Sequence, residues 1–577
     1  MHEIKMEKAL LKLANSRVLF LIIMPIVLYV VFSPLMPLIE PDESRYFEIS
    51  DNMVDSGDYV IPRLANVIYL EKPPLTYWAS AIIFKFFGET DFTARIYVGL
   101  CAWACLLLTY GIGSFLRDRT TGLYAAGVLC TSLFFFIFGN FNILDIPLAL
   151  YTCLATWAGY RHLVGTSKKK WWLYLLYLSS ALAFLTKGLI GVIFPLAILG
   201  VWLVFSGQWK RTMGLISPIG IVLFLAITAP WFILVQRAHQ NFLWFFFIQE
   251  HLLRYTTTMH GRDNTFLLYV PVVILGILPW AAFLGKAAWE MHKGKIVSST
   301  LQGSKFLWTW IILIFVFFSL SHSKLIPYIA PIFIPLSVLI GHKLRNYDYL
   351  TLHPRKQFQS FLLQIPILLQ SLLLMTVFLL PIFLQVGSKF GGDLSIVYSR
   401  ELSWLIILPI FSQLLLAFLP EMVKTRYQCG WFVTIYFLSG LFLLSMTPSV
   451  SSFLIPYKSA YPASQAIKRI LPAGHELYQY KIILYGIATY NEIRTPLVGD
   501  FGELSYGMKF LPKEERDHYF LTEEQFKARC DQEGTIYCLT EYREHFDELT
   551  RMFPNHEVLW SNGVYYLMKL KCQINDY

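Results

Sequence analysis

The chain has 577 residues, of which 56% are hydrophobic, 16% aromatic and only 15% charged. Soluble domains carry about 25% charged residues, so this composition excludes an ordinary soluble globular protein. The net charge of +10 comes mostly from basic segments beside predicted membrane spans. These segments suit anionic lipid headgroups and give no reason to expect a nucleic-acid partner.

Apolar runs long enough to cross a membrane recur about thirteen times, since a span requires about 20 apolar residues. Lipid cannot satisfy backbone hydrogen bonds, so each run is predicted to be a helix. The runs lie near 17–33, 95–115, 121–138, 143–160, 171–186, 190–205, 213–235, 266–285, 304–320, 325–341, 359–386, 402–419 and 430–448. The first has a basic flank but no small-residue cleavage site, which favours a retained span over a removed signal peptide.

Basic residues indicate the orientation of the spans, because cytoplasmic flanks collect Lys and Arg. With the N-terminus inside, the basic clusters at 117–119, 168–170 and 210–211 all fall on the inner side. The segments with unusual charges then fall on the outer side. We therefore expect a cytoplasmic N-terminus.

The first outer segment, IEPDESRYFEIS at 39–50, is rich in charge directly after a membrane span. Asp42 is predicted to be the N-cap of a helix, and Glu43 would favour the positive end of its dipole. Capping does not exclude function, because a capped carboxylate at the membrane surface is also well positioned. Farther along, Pro73-Pro74 holds Glu71-Lys72 on a rigid loop. The following LTYWASAIIFKFFG predicts an interfacial helix.

Residues 451–577 have the composition of a small α/β domain, which distinguishes them from a transmembrane domain at 1–450. Thr522 and Gln525 suit a capping box at the start of a helix. Asn562-Gly563 between two apolar runs predicts a hairpin. Cys530 and Cys538 are the candidate disulfide pair, although an odd number of outer cysteines without paired spacing argues against any disulfide.

Four segments carry a resemblance to known proteins: PDESRY at 41–46, YLEKPPLTYW at 69–78, LDIPL at 144–148 and TKG at 186–188. They resemble polytopic glycosyltransferases of the GT-C class, most closely the bacterial aminoarabinose lipid A transferases. These belong to a wider group similar to dolichyl-phosphate-mannose protein mannosyltransferases. The resemblance implies about thirteen transmembrane helices, juxtamembrane helices on the outer surface and a periplasmic α/β domain. It also implies a location in the bacterial inner membrane.

The resemblance implies a donor in which a sugar, 4-amino-4-deoxy-L-arabinose, is joined through one phosphate to a polyprenyl lipid. Lipid A at the periplasmic face is the implied acceptor. Attack at the anomeric carbon leaves negative charge on the departing lipid phosphate, so cations are needed there. The predicted substrate-binding residues are Arg45, Tyr46, Tyr69, Lys72, Lys187, Arg254, Lys324 and Tyr328. For the lysines the alternative is snorkelling to the membrane interface.

Carboxylates are the predicted catalytic groups, with Asp42 first, Asp145 second and Glu43 beside them. If the acceptor is a hydroxyl group, Asp42 would act as general base. If the acceptor is a phosphate, it is already largely ionised, and Asp42 would act electrostatically or by orientation. The alternative for Asp145 is a plain helix N-cap.

A divalent metal ion is the one cofactor that stays open at this point. Members of the GT-C class can hold a metal near the glutamate that corresponds to Glu71, and His251 is the candidate second ligand. The alternative is that His251 is simply a loop histidine.

Two other functions stay open. Intramembrane charges also mark transporters and flippases, but the candidate residues lie in outer loops and no inverted repeat is apparent. A transferase of the same fold could also act on protein hydroxyls or on another glycolipid, and the sequence does not separate these acceptors from lipid A.

Overall fold

The computed structural model describes residues 16–31, 36–165, 170–257, 265–281, 283–284, 301–350, 431–472 and 474–572. The described residues form two compact units. One, the helical unit, comes from Met1–Ser33 and Arg95–Ser449, and the other, the mixed unit, comes from Pro34–Ala94 and Val450–Tyr577. One boundary between the two units lies at 449–450. Residues 34–94, which the sequence assigned to the transmembrane domain, instead group with the C-terminal residues.

The helical unit consists of helices. Its α-helices of seven or more residues are Thr93–Leu116, Arg119–Cys130, Leu133–Gly139, Asp145–Val164, Trp171–Lys187, Ile190–Phe205, Pro218–Ala238, Tyr269–Gly276, Leu301–Leu320, Phe333–Leu350 and Trp431–Lys458, the last continuing into the mixed unit. Short helical segments are Leu19–Ile23, Met24–Ile26, Val27–Val31, Phe242–Trp244 and Arg254–Thr256, Phe245–Leu253 is a π-helix of nine residues, and 3₁₀ turns occupy Trp209–Leu215, Phe266–Leu268 and Ile326–Ile332.

Four helical segments in the described part of the chain are long and apolar enough to cross a membrane: Thr93–Leu116, Pro218–Ala238, Gly303–Leu320 and Ile326–Arg345. The pair Arg119–Cys130 and Leu133–Gly139, bent by 64°, would be a fifth. Trp171–Lys187 and Ile190–Phe205 are also apolar but have only 17 and 16 residues. The predicted spans at 359–386 and 402–419 lie outside the described residues.

Small residues bring neighbouring helices of this unit together. A Cβ atom built on Gly113 would lie 2.9 Å from the Cα atom of Gly122 on the next helix, and one on Gly341 would lie 2.6 Å from the backbone nitrogen of Ala125. Close backbone approach through small residues is typical of helix packing in membranes, where apolar burial provides little drive for helix association.

The mixed unit combines helices with a six-stranded sheet. Its helices are Asp42–Ser56, Leu75–Phe87, Tyr461–Ile470, Tyr485–Asn491, Lys513–Tyr519, Glu523–Glu533 and Tyr542–Met552. Its strands are β1 (Arg63–Leu64), β2 (Val67–Ile68), β3 (Leu477–Tyr480), β4 (Leu497–Val498), β5 (Phe520–Leu521), β6 (Thr535–Glu541), β7 (His556–Ser561) and β8 (Tyr565–Lys571). Strands β1 and β2 pair with each other, and the other six form the six-stranded sheet. The order β5-β4-β3-β6-β8-β7 is parallel from β5 to β6 and antiparallel from β6 to β7.

Two local predictions for this unit are confirmed. Thr522 and Gln525 form a capping box at the start of Glu523–Glu533, where each side chain bonds the backbone N–H of the other. Asn562 and Gly563 connect β7 to β8, and the Asn562 Oδ1 atom accepts the N–H groups of two following residues. The polar residues thus determine the start of the helix and the turn between β7 and β8, as their sequence patterns predict.

The sequence argument against a disulfide was wrong, and the candidate pair of Cys530 with Cys538 is not the one that forms. Cys530 bonds to Cys572, with their Cα atoms 5.7 Å apart, whereas Cys538 is a free, buried residue of β6. The N–H group of Cys572 donates to the carbonyl of Gly534, directly after the helix that contains Cys530. This contact at the end of β8 brings the two sulfurs together, and cysteine spacing alone does not predict it.

Residues 34–94 join the C-terminal residues through backbone contacts. The N–H group of Glu40 donates to the Lys458 carbonyl at 2.7 Å, and the Glu40 carboxylate accepts the N–H group of Gly486 at 2.7 Å. Leu38 donates to the Tyr490 hydroxyl at 2.7 Å. Because buried backbone groups require partners, these bonds explain why the first loop belongs to the mixed unit.

Candidate functional site

Several residues predicted from the sequence lie in two clusters, one within each unit, together with two carboxylates, Glu503 and Glu250, that were not predicted as site residues. The first, called the Arg45 cluster, contains Asp42, Arg45, Tyr69, Glu71, Lys72 and Glu503. The second, called the Lys187 cluster, contains Asp145, Lys187, Glu250, Arg254 and Tyr328.

The helix Asp42–Ser56 begins differently from the prediction. Pro41 occupies the N-cap position and Asp42 is the first helical residue, so the N-cap assignment of Asp42 was wrong. The buried carboxylate of Glu43 instead accepts the N–H group of Ile39 at 3.0 Å. Asp42 forms an ion pair with Arg45, one helical turn later. Glu43 therefore stabilises the start of the helix and leaves the Asp42 carboxylate to the charged cluster.

Arg45 is the buried cation of the first cluster. Its guanidinium group pairs with the carboxylates of Asp42 and Glu503, and it lies 5.2 Å from the centre of the Tyr46 ring. Burial lowers the pKa of Arg45, but the carboxylate of Glu503 outweighs this effect and the pKa ends well above its usual value. Arg45 is thus a permanent positive charge held in one orientation.

Glu503 was not predicted from the sequence. Besides Arg45, it accepts the Tyr69 hydroxyl at 3.2 Å and the Tyr485 hydroxyl at 2.9 Å. It lies in a short 3₁₀ turn, Gly502–Ser505, far along the chain from the other members of the cluster. No motif around Glu503 signals this role, and only the packing of the mixed unit reveals it.

Lys72 and Glu71 precede the helix Leu75–Phe87, whose N-cap position is Pro74. The Lys72 Nζ atom lies 3.6 Å from a Glu71 carboxylate oxygen and donates to the Glu71 carbonyl at 3.1 Å. Charge-assisted bonds of full strength are about 2.7–2.9 Å long. The Lys72 ammonium thus lies beside the Glu71 carboxylate at more than the length of a charge-assisted hydrogen bond.

In the Lys187 cluster, Asp145 begins the helix Asp145–Val164 and Lys187 ends the helix Trp171–Lys187. The Lys187 Nζ atom donates to Asp145 Oδ1 at 2.6 Å. Both side chains are about nine-tenths buried, with exposures of 11% and 10%. Leu144 occupies the N-cap position, and no side-chain cap is formed there. Asp145 is therefore the partner of a buried cation and not a plain N-cap.

Tyr328 connects the two cations of this cluster. Lys187 Nζ lies 4.2 Å from the centre of the Tyr328 ring, and the Arg254 guanidinium donates to the Tyr328 hydroxyl at 3.5 Å. Arg254 also pairs with Glu250 at 2.9 Å. Lys324 is buried in the same unit. Lys187 and Arg254 are thus each held by a carboxylate and by Tyr328.

His251 does not fit a metal ligand. Its Nε2 atom accepts the N–H group of Leu189 at 3.3 Å, and its Nδ1 atom lies 2.6 Å from the carbonyl oxygen of Phe246, to which it donates. A metal-binding imidazole needs one nitrogen lone pair for the ion, and both nitrogens of His251 are engaged. Glu71 belongs to the other unit, where it accepts the Tyr69 hydroxyl at 3.4 Å.

Comparison with known proteins confirms the resemblance found in the sequence. Residues 71–234 match the family described as dolichyl-phosphate-mannose-protein mannosyltransferase. An undecaprenyl phosphate-alpha-4-amino-4-deoxy-L-arabinose arabinosyl transferase of Proteus mirabilis is 36% identical over 310 residues, covering 52% of this chain and 55% of that protein. The transferase of that name in Erwinia tasmaniensis is 31% identical, covering 54% and 57%. The chain thus spans about half the length of the curated relatives that it matches.

Solved structures extend the likeness to the whole fold. The crystal structure of ArnT from Cupriavidus metallidurans bound to undecaprenyl phosphate has a TM-score of 0.78 and 23% identity, covering 96% of this chain and 97% of that one. The apo structure of that protein gives the same TM-score at 22% identity. The chain therefore has this polytopic helical membrane fold.

Proposed function

We propose that the chain is a membrane glycosyltransferase that moves 4-amino-4-deoxy-L-arabinose from a polyprenyl-phosphate donor to lipid A. The observation that carries this is the 36% identity to an arabinosyl transferase named for that donor, on a fold shared with a protein crystallised with undecaprenyl phosphate. The expected setting is the periplasmic face of the bacterial inner membrane. About thirteen spans, a cytoplasmic N-terminus and a periplasmic C-terminal α/β domain complete the proposal.

The reaction breaks the bond between the anomeric carbon and the phosphate oxygen of the donor and forms a bond to an acceptor oxygen. The polyprenyl phosphate leaves with the bonding electron pair and gains negative charge. Fixed cations stabilise such charge without reorganising during the reaction. Lys72 in one cluster, and Lys187 and Arg254 in the other, are the buried or half-buried cations suited to this role.

Asp42 already forms an ion pair with Arg45. The guanidinium group of Arg45 holds the Asp42 carboxylate in place, which suits it to orienting a substrate or to balancing positive charge at the anomeric carbon. A phosphate acceptor is largely ionised at neutral pH and needs no general base. This role of Asp42 is therefore compatible with a phosphate on lipid A as acceptor.

Mass spectrometry of lipid A, from cells with and without this chain, tests the proposal. An added aminopentose is the expected product. An unmodified lipid A, together with movement of labelled polyprenyl lipid across vesicles, would support a flippase and contradict a transferase. Sugar on protein hydroxyls or on another glycolipid would replace lipid A as the acceptor.

Variants then test the assigned residues. Lys72→Ala and Asp42→Asn are each expected to slow transfer about a hundredfold, the typical effect of removing a preorganised charged or hydrogen-bonding group. Lys85→Ala is the matched control, because Lys85 is an exposed lysine on the helix that follows Lys72. Wild-type rates in both variants would contradict the assignment of the Arg45 cluster.

A further inference from the structure

A cavity of about 190 Å³ lies within the mixed unit. Its polar wall includes Glu48 and Asp51 from the helix Asp42–Ser56, and Thr489 and Arg494 from the C-terminal residues. Its volume would hold roughly ten water molecules or one small ring, since one water needs about 10–15 Å³ measured in this way.

Glu48 presents a buried oxygen to this cavity. The residue is only 7% exposed. Its Oε1 atom accepts the N–H group of Ala65 at 2.7 Å, whereas its Oε2 atom has no hydrogen-bond partner among the residues that the structure describes. A buried carboxylate oxygen without a partner is costly, so a ligand that donates a hydrogen bond to it would gain binding energy.

Three other residues that line the cavity carry buried polar atoms. Asp51 follows Glu48 by three residues and so lies on the same side of the helix. Within the described part of the chain, Asp51 Oδ1, Thr489 Oγ1 and Arg494 Nη2 are also buried without hydrogen-bond partners. Arg494 is held from behind by Glu515 at 2.5 Å and by the Tyr519 ring at 3.6 Å. The cavity therefore has an acidic side and a fixed basic side.

These groups specify the chemistry of a ligand. Burial raises the pKa of Glu48 to about 8, and an ammonium group beside it would favour its ionised form. The two carboxylates could then accept several N–H bonds from one ammonium group, while Arg494 and Thr489 can donate to hydroxyl or ring oxygens. We propose that the cavity binds a small polyol that carries an ammonium group, which is the chemistry of an amino sugar. The inference does not depend on the proposed transfer reaction.

The surroundings of Asp51 favour a cationic ligand. Carboxylate oxygens of Asp51, Asp55 and Glu89 all lie within 4.8 Å of one another. Burial, and then repulsion from Glu89 and Asp55, raise the pKa of Asp51 to about 7. Positive charge brought into the cavity would relieve this repulsion.

The test is a saturation-transfer NMR titration of the purified full-length chain with methyl β-D-glucosaminide, which carries the ammonium group. Methyl β-D-glucoside, which carries a hydroxyl group in place of the ammonium group, is the paired probe. We expect saturable binding of the amine and about tenfold weaker binding of the neutral glycoside, because charge-assisted bonds are the stronger ones. Glu48→Gln, and Ala488→Leu at the cavity wall, should each weaken amine binding about tenfold.

Two control variants should leave binding of the amine unchanged. Glu557→Gln removes an exposed carboxylate on β7, and Asp531→Asn removes an exposed carboxylate on the helix Glu523–Glu533. Elution volume and circular dichroism show whether each variant folds. Absence of binding, equal affinity for the two glycosides, or binding that survives both cavity variants would overturn the inference. Lipid A transfer, measured on the same samples, shows separately whether the proposed function holds.

Discussion

The two charged clusters differ in how far apart their members lie along the chain. In the Lys187 cluster, Lys187 and Asp145 are 42 positions apart along the chain, and Arg254 and Glu250 are four positions apart. In the Arg45 cluster, Arg45 also pairs with Glu503, 458 positions away. The first cluster is fixed by the ends and turns of neighbouring helices, and the second exists only after the mixed unit has folded. Formation of the Arg45 cluster is thus coupled to folding of the C-terminal residues.

The clusters also differ in charge. The Lys187 cluster has two cations, Lys187 and Arg254, and two carboxylates, Asp145 and Glu250. The Arg45 cluster has two cations but three carboxylates, which are Asp42, Glu71 and Glu503. The excess negative charge opposes an anion in the Arg45 cluster unless Lys72 turns away from Glu71. We therefore expect substitutions to affect stability more in the Arg45 cluster and phosphate binding more in the Lys187 cluster.

The substitution Arg45→Met is expected to have the largest effect, which is a loss of stability in the mixed unit. Removing a buried cation leaves Asp42 and Glu503 uncompensated, and breaking a buried ion pair in this way costs about 3–5 kcal/mol. Hydrogen exchange should show lost protection in Asp42–Ser56 and in Gly502–Ser505. The combination with Glu503→Gln should restore part of it, whereas Arg469→Met, at an exposed arginine, should change nothing. Unchanged protection in Arg45→Met would show that the two segments are not coupled through Arg45.

Asp145→Asn should instead change the reaction more than the fold. It removes the carboxylate that orients Lys187, and transfer should slow by about 10²-fold. A double-mutant cycle with Lys187→Met should give strongly non-additive rates, because the two residues act as one pair. Asp531→Asn removes an exposed carboxylate and is the control. Additive losses would mean that Asp145 and Lys187 act separately.

The smallest expected effect is a pH dependence confined to the mixed unit. Burial raises the pKa of Glu40 to about 7 and that of Glu48 to about 8. The folded state then binds more protons than the unfolded state above the ordinary carboxyl pKa, so stability is greatest below that value and is lost as pH rises through 7 to 8. For these two groups we expect a loss of about 2 kcal/mol between pH 6.5 and pH 7.5.

Hydrogen exchange of Asp42–Ser56, corrected for intrinsic rates, measures this loss. Glu48→Gln should reduce the pH dependence, because an amide does not titrate, and Glu40 should account for the part that remains. Glu557→Gln should leave it unchanged. The same slope in Glu48→Gln and in the unmodified chain would mean that Glu48 titrates normally in the folded protein.

The sequence predicted what short-range chemistry determines. The capping box at Thr522 and the Asn562-Gly563 hairpin are confirmed because each depends on residues within a few positions. The ion pair of Asp145 with Lys187 also joins two segments whose motifs had been recognised. The structure brings these two residues together, and their roles in transfer stay predictions.

Features that depend on tertiary packing were missed. Asp42 was assigned as N-cap, but Pro41 takes that position and Arg45 takes the carboxylate. Glu503 carries no motif, and its role comes from three donors that only the folded unit collects. The disulfide partner of Cys530 depends on where β8 ends. In each case the deciding neighbour is set by the fold and not by spacing along the chain.

The disulfide bond between Cys530 and Cys572 allows thiol alkylation to test the orientation of this protein in the membrane. Such crosslinks persist in the periplasm, whereas the thiol pools of the cytosol keep cysteines reduced. Under non-reducing conditions, a chain inserted in the proposed sense should resist alkylation at both positions. A chain inserted the other way would present two reactive thiols and lose the covalent link between the last strand and the helix beside it.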